Sequence, residues 1–159
     1  MTILVRRGGP QDNRFLRDML HHAYYWRERV SGSLVSRYLR GWGRRGDTAV
    51  IALEHGFPVG AAWFRLFRAE EPGYGFVDEQ TPELAIAVVP SKRGHGIGEK
   101  LLTSLIAKAR QGGYAQLSLS VEPGNPARML YERHGFEVVV EGPEAWTMVA
   151  SLASPPTTD

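Results

Sequence analysis

The sequence predicts a mixed α/β fold, and three observations carry that prediction. A strand at Leu84–Val89, a helical run from Ile97 to Ala109 and a strand at Leu117–Val121 follow one another. That order needs a crossover, and hence a parallel pair of strands. Two strand-like runs, Thr48–Glu54 and Val59–Phe67, flank the turn-forming His55-Gly56-Phe57-Pro58 and predict an antiparallel hairpin. The composition, 43% hydrophobic and 23% charged over 159 residues, is that of one globular domain able to bury its own core.

Each element has its local reason. Ile3–Arg6 reads as a strand closed by Gly8-Gly9-Pro10. Phe15, Leu16, Met19, Leu20 and Ala23 then recur at helical spacing, with Asp12 or Asn13 as N-cap. Leu34–Leu39 predicts a second short helix, preceded by Ser31 or Ser33 and followed by Gly41 and Gly43. After the hairpin, the segment Ala69–Pro82 contains Pro72, Gly73, Gly75 and Pro82 and reads as a loop. Leu84–Val89 is apolar on both faces, as a strand at the centre of a sheet must be, and Pro90 ends it. Ile97, Leu101, Leu102, Leu105, Ile106 and Ala109 make an amphipathic helix that stops at Gly112-Gly113. Pro126–His134 is a short helix halted by Gly135, and Glu137–Glu141 and Ala145–Leu152 close the sheet around Gly142-Pro143. The expected domain runs over residues 1–153, with 154–159 a polar tail.

The net charge of +2 conceals a strong local reversal. Residues 1–68 hold 12 basic and 5 acidic groups; residues 69–91 hold five acids (Glu70, Glu71, Asp78, Glu79, Glu83) and no cation; the remainder balances at seven of each. The basic N-terminal part lacks interleaved aromatics at a recognised spacing, so nucleic acid is not an expected partner. The absence of cysteine excludes thiolate nucleophiles and cysteine-bound zinc, and five scattered histidines offer no metal-ligand spacing. The longest apolar run, Leu84–Val89, is too short to cross a bilayer, and the N-terminus has no signal-like apolar stretch. The expectation is a cytoplasmic monomer or homodimer without membrane attachment.

The chemistry is written most plainly at Arg93-Gly94-His95-Gly96-Ile97-Gly98, between the central strand and the long helix. Glycines at a helix start let the backbone approach a ligand, and the first N–H groups with the helix dipole attract phosphate. The dinucleotide fingerprint fails because Glu99 stands where a third glycine is needed, and the P-loop pattern fails because Glu99 separates Gly98 from Lys100. The run Arg93-x-x-Gly96-x-Gly98 resembles the [QR]-x-x-G-x-[GA] motif of the GNAT superfamily of N-acetyltransferases. A second block, Asn125-Pro126-Ala127 through Leu130-Tyr131 to Gly135-Phe136, resembles that family's N-x-x-A-x-x-L-Y-x-x-x-G-F segment, with Asn125 one residue closer to Ala127.

The resemblance implies a GNAT-type mixed, mostly antiparallel sheet, its parallel strands four and five splayed apart and about four helices flanking it. It implies acetyl-CoA in the gap, with its pantetheine arm on the backbone of Ile86, Ala87 and Val88. The pyrophosphate would rest on Arg93, Gly94, His95, Gly96, Ile97 and Gly98, with Asn125 nearby. Tyr131 matches the family's acid, and Glu83 at the mouth of the central strand is the expected base; water relaying to Glu79 or Asp78 is the other route. A core role for Tyr131 and a solvated one for Glu83 are the plain alternatives. Tyr24, Tyr25 and Trp26 line the acceptor pocket or pack in the core. The acidic segment, through Glu70, Glu71, Asp78 and Glu79, suggests a cationic amine acceptor, either a small molecule or a protein. Without cysteine there is no thioester intermediate on the enzyme, so direct attack in a ternary complex is expected, and no metal. The competing reading is a non-catalytic acyl-CoA-binding module.

Overall fold

The computed structural model describes residues 2–24 and 37–153. Seven strands form one sheet in the order β1-β2-β3-β4-β5-β7-β6. These are β1 (Ile3–Arg7), β2 (Thr48–Glu54), β3 (Phe57–Arg65), β4 (Glu83–Val88), β5 (Gln116–Val121), β6 (Glu137–Glu141) and β7 (Trp146–Ser151). Every neighbouring pair is antiparallel apart from β4 and β5. This is the mixed sheet that the residues predict, and its parallel pair is at strands four and five, as the family resemblance implies.

Among the described residues the α-helices are α1 (Asn13–Ala23), α2 (Ile97–Gln111) and α3 (Ala127–Arg133). The expected helix at Leu34–Leu39 lies largely outside the described residues, though Arg37 and Tyr38 are helical. α1 and α2 cover opposite faces of the sheet, because alternate residues of each strand point to opposite sides. Leu16, Met19 and Leu20 of α1 pack with Ala85 and Ala87 of β4. Leu101, Leu102 and Leu105 of α2 pack in a separate cluster that includes Leu84. β4 is therefore apolar on both faces, as its sequence requires.

The hairpin is tighter than expected, and β3 ends at Arg65 rather than Phe67. The hairpin turns at His55 and Gly56 alone, both at positive φ (50° and 83°), so β3 begins at Phe57 rather than Val59. Two residues in this conformation match the twist of the flanking strands. Pro58, which has no N–H to donate, is accommodated inside β3 because it faces Leu53 at a register shift.

Candidate active site

β4 and β5 meet at a single register pair, Glu83 opposite Ser118, beside a hydrogen bond from the Ser118 N–H to the Pro82 carbonyl at 3.0 Å. Past that point no ladder joins them. One edge of β4 is paired with β3, and the other borders a cavity of about 580 Å³ lined by residues of β4, β5, α2 and α3. Backbone N–H and C=O groups on an unpaired edge need a partner, so the splay itself is a site for an extended polar ligand.

The glycine turn closes one end of the cavity. Gly94 and Gly96 have φ of +81° and +79°, and a Cβ at either would meet nothing within 4 Å, so the turn presents bare backbone to the opening. Gly96 is the N-cap of the 15-residue α2, and no side chain caps it, which leaves the first N–H groups of that helix available to an anion. Arg93 lines the cavity and donates from Nε to the Val88 carbonyl at 3.3 Å, tying the turn to the end of β4. Lys92 is held by Glu54 at 2.7 Å. Gly98 lies against α3, where a Cβ would stand 3.3 Å from Leu130.

Tyr131, on α3, lines the same cavity. Its ring packs edge-on against Phe136 at 5.9 Å, and burial holds its hydroxyl well above the usual phenol pKa, so it stays protonated. Asn125 also borders the cavity, but its Oδ1 accepts the N–H of Ala127, the first residue of α3, at 2.9 Å.

Glu83 is fully enclosed at the apex of the splay. It accepts hydrogen bonds from the Tyr38 hydroxyl and, at 3.0 Å, from the Gly75 N–H. Tyr38 in turn accepts the Tyr74 N–H at 2.9 Å. The rings of Tyr24, Tyr38 and Tyr74 surround this point with centroids 5.1 to 6.1 Å apart. Burial raises the Glu83 carboxyl to about 7; the hydroxyls of Tyr38 and Tyr24, the Gly75 N–H and the Arg37 charge pull the other way and are outweighed. Tyr24 both interacts with Glu83 and lines the large cavity, so it connects the buried carboxyl to the opening. The loop over Glu83 must be glycine there: a Cβ on Gly75 would lie 2.6 Å from the Leu119 backbone.

Splayed strands, a bare phosphate-type turn and a protonated tyrosine around one cavity agree with the comparisons with known proteins. The sequence profile of the acetyltransferase (GNAT) family matches residues 13–136. The chain belongs to the GNAT family. A segment of 54 residues is 43% identical to a [Ribosomal protein bS18]-alanine N-acetyltransferase of Haemophilus influenzae, covering 34% of this chain and 37% of that one. A segment of 103 residues is 32% identical to the L-amino acid N-acyltransferase MnaT of Escherichia coli, covering 64% and 57%. The chain thus spans about a third and somewhat over half of these two relatives. In fold it is similar to the structure of yncA, an acetyltransferase from Salmonella typhimurium with acetyl-CoA, at a TM-score of 0.72 and 23% identity over 100% of this chain and 99% of that one.

The remaining expected residues of this GNAT domain divide. Ile86, Ala87, Val88, Gly94, Gly96, Ile97 and Gly98 all border the large cavity, as does Tyr24. His95 is exposed and takes no part in the lining. Tyr25 and Trp26 lie outside the described residues. None of the four acids assigned to the acceptor borders the large cavity. Glu79 accepts the Ala69 N–H at 2.9 Å and Asp78 accepts the Gln80 N–H at 2.9 Å, so both hold their own loop. Glu70 and Glu71 border a second, smaller cavity. Sequence reasoning missed Tyr38, whose pairing with Glu83 joins positions 45 residues apart and leaves no local pattern. It also missed Ser120, a cavity residue whose buried hydroxyl has no hydrogen-bond partner among the described residues. Among the described residues no cluster of metal-ligating side chains occurs, and no helix is long and apolar enough to cross a membrane.

Proposed function

We propose that this enzyme transfers an acetyl group from acetyl-CoA to an amine by direct attack, with Tyr131 as acid and Glu83 as base. The observation that carries the reading is the convergence of the free β4 edge, the α2 N-terminus and Tyr131 on one cavity. Acetyl-CoA, when bound, supplies the activated acyl carbon. The turn from Arg93 to Gly98 would hold its pyrophosphate with helix N–H groups and one guanidinium, and β4 would hold its amide-bearing arm.

The amine nitrogen forms a bond to the acyl carbon, and the carbon–sulfur bond breaks. Tyr131 donates its hydroxyl proton to the departing sulfur; its raised pKa keeps that proton in place until then. The proton lost by the amine passes toward Glu83 through Tyr24, which borders both. A base near 7 is matched to this work at neutral pH. With no cysteine in the chain, no thioester on the enzyme interposes.

The names of both sequence relatives, one for an alanine in a ribosomal protein and one for L-amino acids, support an amine acceptor. A cationic acceptor draws no support from Asp78 and Glu79, whose carboxylates serve their own loop. Tyr131→Phe tests the assignment: kcat should fall by about 10²–10⁴-fold while the Kd for acetyl-CoA stays within about twofold. An unchanged kcat would remove Tyr131 from the chemistry.

A further inference from the structure

A second cavity, of about 330 Å³, opens beside Phe67 and is lined by Arg37, Arg40, Arg44 and Arg68 together with Glu70 and Glu71. Its charges do not cancel. Glu70 lies 3.5 Å from Arg68, which leaves three arginines facing Glu71 alone. Among the described residues no carboxylate lies within salt-bridge distance of the Arg37, Arg40 or Arg44 guanidinium groups. Arg37 is helical and the chain turns from Leu39 to Gly41, so the side chains of Arg37, Arg40 and Arg44 reach one cavity from a bend in the backbone rather than from one helix face. The floor is apolar: Phe67 is buried, and Leu66 and Pro72 flank it. Burial and the neighbouring Arg65 lower the Arg44 pKa, and the charges of Asp47 and Glu71 offset this only in part.

We propose that this cavity is a binding site for a small oxyanion group, a carboxylate or a phosphate, held by Arg37, Arg40 and Arg44. Planar guanidinium groups pair with such oxygens through two parallel N–H bonds, and three of them over an apolar floor form a fork-lined cup. Glu70 and Glu71 line the same cup and disfavour a long polyanion, while a single oxyanion group reaches the arginines past them. The site adjoins the chemistry. The Arg37 guanidinium lies 4.5 Å above the Tyr74 ring, and Phe67 packs edge-on at 5.2 Å against Tyr38, the tyrosine that donates to Glu83. The oxyanion belongs either to the acceptor amine itself or to a separate small anion. The acceptor alternative rests on the acetyltransferase reading; the binding site does not.

The test titrates the full chain with inorganic phosphate and with succinate, following amide chemical shifts, in wild type and in the double variant Arg40→Gln/Arg44→Gln. Wild type should bind either probe, and the double variant should bind it at least about tenfold more weakly, with an unchanged melting temperature. Equal shifts of this cavity's residues in both proteins, or no shift there in either, overturns the proposal. A second arm measures KM for an amino acid and for its carboxamide. A rise of about tenfold for the amino acid alone in the double variant places the acceptor's own carboxylate in the site. Unchanged KM values together with lost phosphate binding assign the site to a separate anion. Should no amine be acetylated, the acetyltransferase reading fails while the titration still decides the anion site.

Discussion

Glu83 works against its own burial. Enclosure raises its carboxyl to about 7, against an ordinary 4.5, even with donors from Tyr38 and Gly75. The native state therefore holds a proton that the unfolded chain releases between those values. Stability from this residue is fully present below pH 4.5 and is lost as pH rises to about 7. In the proposed mechanism activity runs the other way, since a base works when deprotonated. The account predicts that kcat/KM climbs through about pH 7, and that Glu83→Gln lowers kcat by about 10²–10⁴-fold and flattens that climb. The same variant should lose the decline in stability over that window, measured by denaturant unfolding at several pH values. A wild-type rate profile flat from pH 6 to 8.5 would remove Glu83 from the base role.

At the scale of elements, the approach to α1 is pinned before the helix begins. Arg6 donates two hydrogen bonds to Asp12, each 2.8 Å, and the Gly9 N–H donates a third at 2.8 Å. The Arg6 bonds hold the Asp12 carboxyl below its ordinary value, so its contribution is present at neutral pH and lost as pH falls through the acid range. Asp12→Ala should cost about 1 kcal/mol at pH 7 and less at pH 2, by chemical denaturation. An equal loss at both values would mean that the charge is not the cause. α2 and the turn before it were legible because their signals are local: apolar residues at helical spacing, and glycines at Gly94 and Gly96 where the backbone takes positive φ. The acidic segment has a local role that its sequence does not display. A run of carboxylates reads as a charged surface, yet Asp78 and Glu79 spend theirs on backbone N–H groups of the loop that contains them. Tyr38 and Glu83 are joined by topology alone, which no window of sequence displays.

For the whole molecule, the splay divides the sheet. β1 to β4 form one wing and β5 to β7 the other, joined at Glu83 and Ser118, with the cavity between them. A ligand seated there touches both wings and the N-terminus of α2, so its binding energy adds to the stability of the sheet. Acetyl-CoA at 100 times its Kd should raise the unfolding free energy by about 2.7 kcal/mol, read as an upward shift in Tm. Arg93→Glu, which sets a carboxylate beside the phosphate turn, should abolish the shift and leave the unliganded Tm within a few degrees. A full shift retained in that variant would move the phosphate site elsewhere. The central claim is transfer to an amine, and the most direct measurement is release of free CoA from acetyl-CoA against a panel of amines, amino acids and peptides. The account predicts release that depends on the acceptor and nearly vanishes in Tyr131→Phe. Saturable acetyl-CoA binding with no acceptor-dependent release from any member of the panel would contradict it.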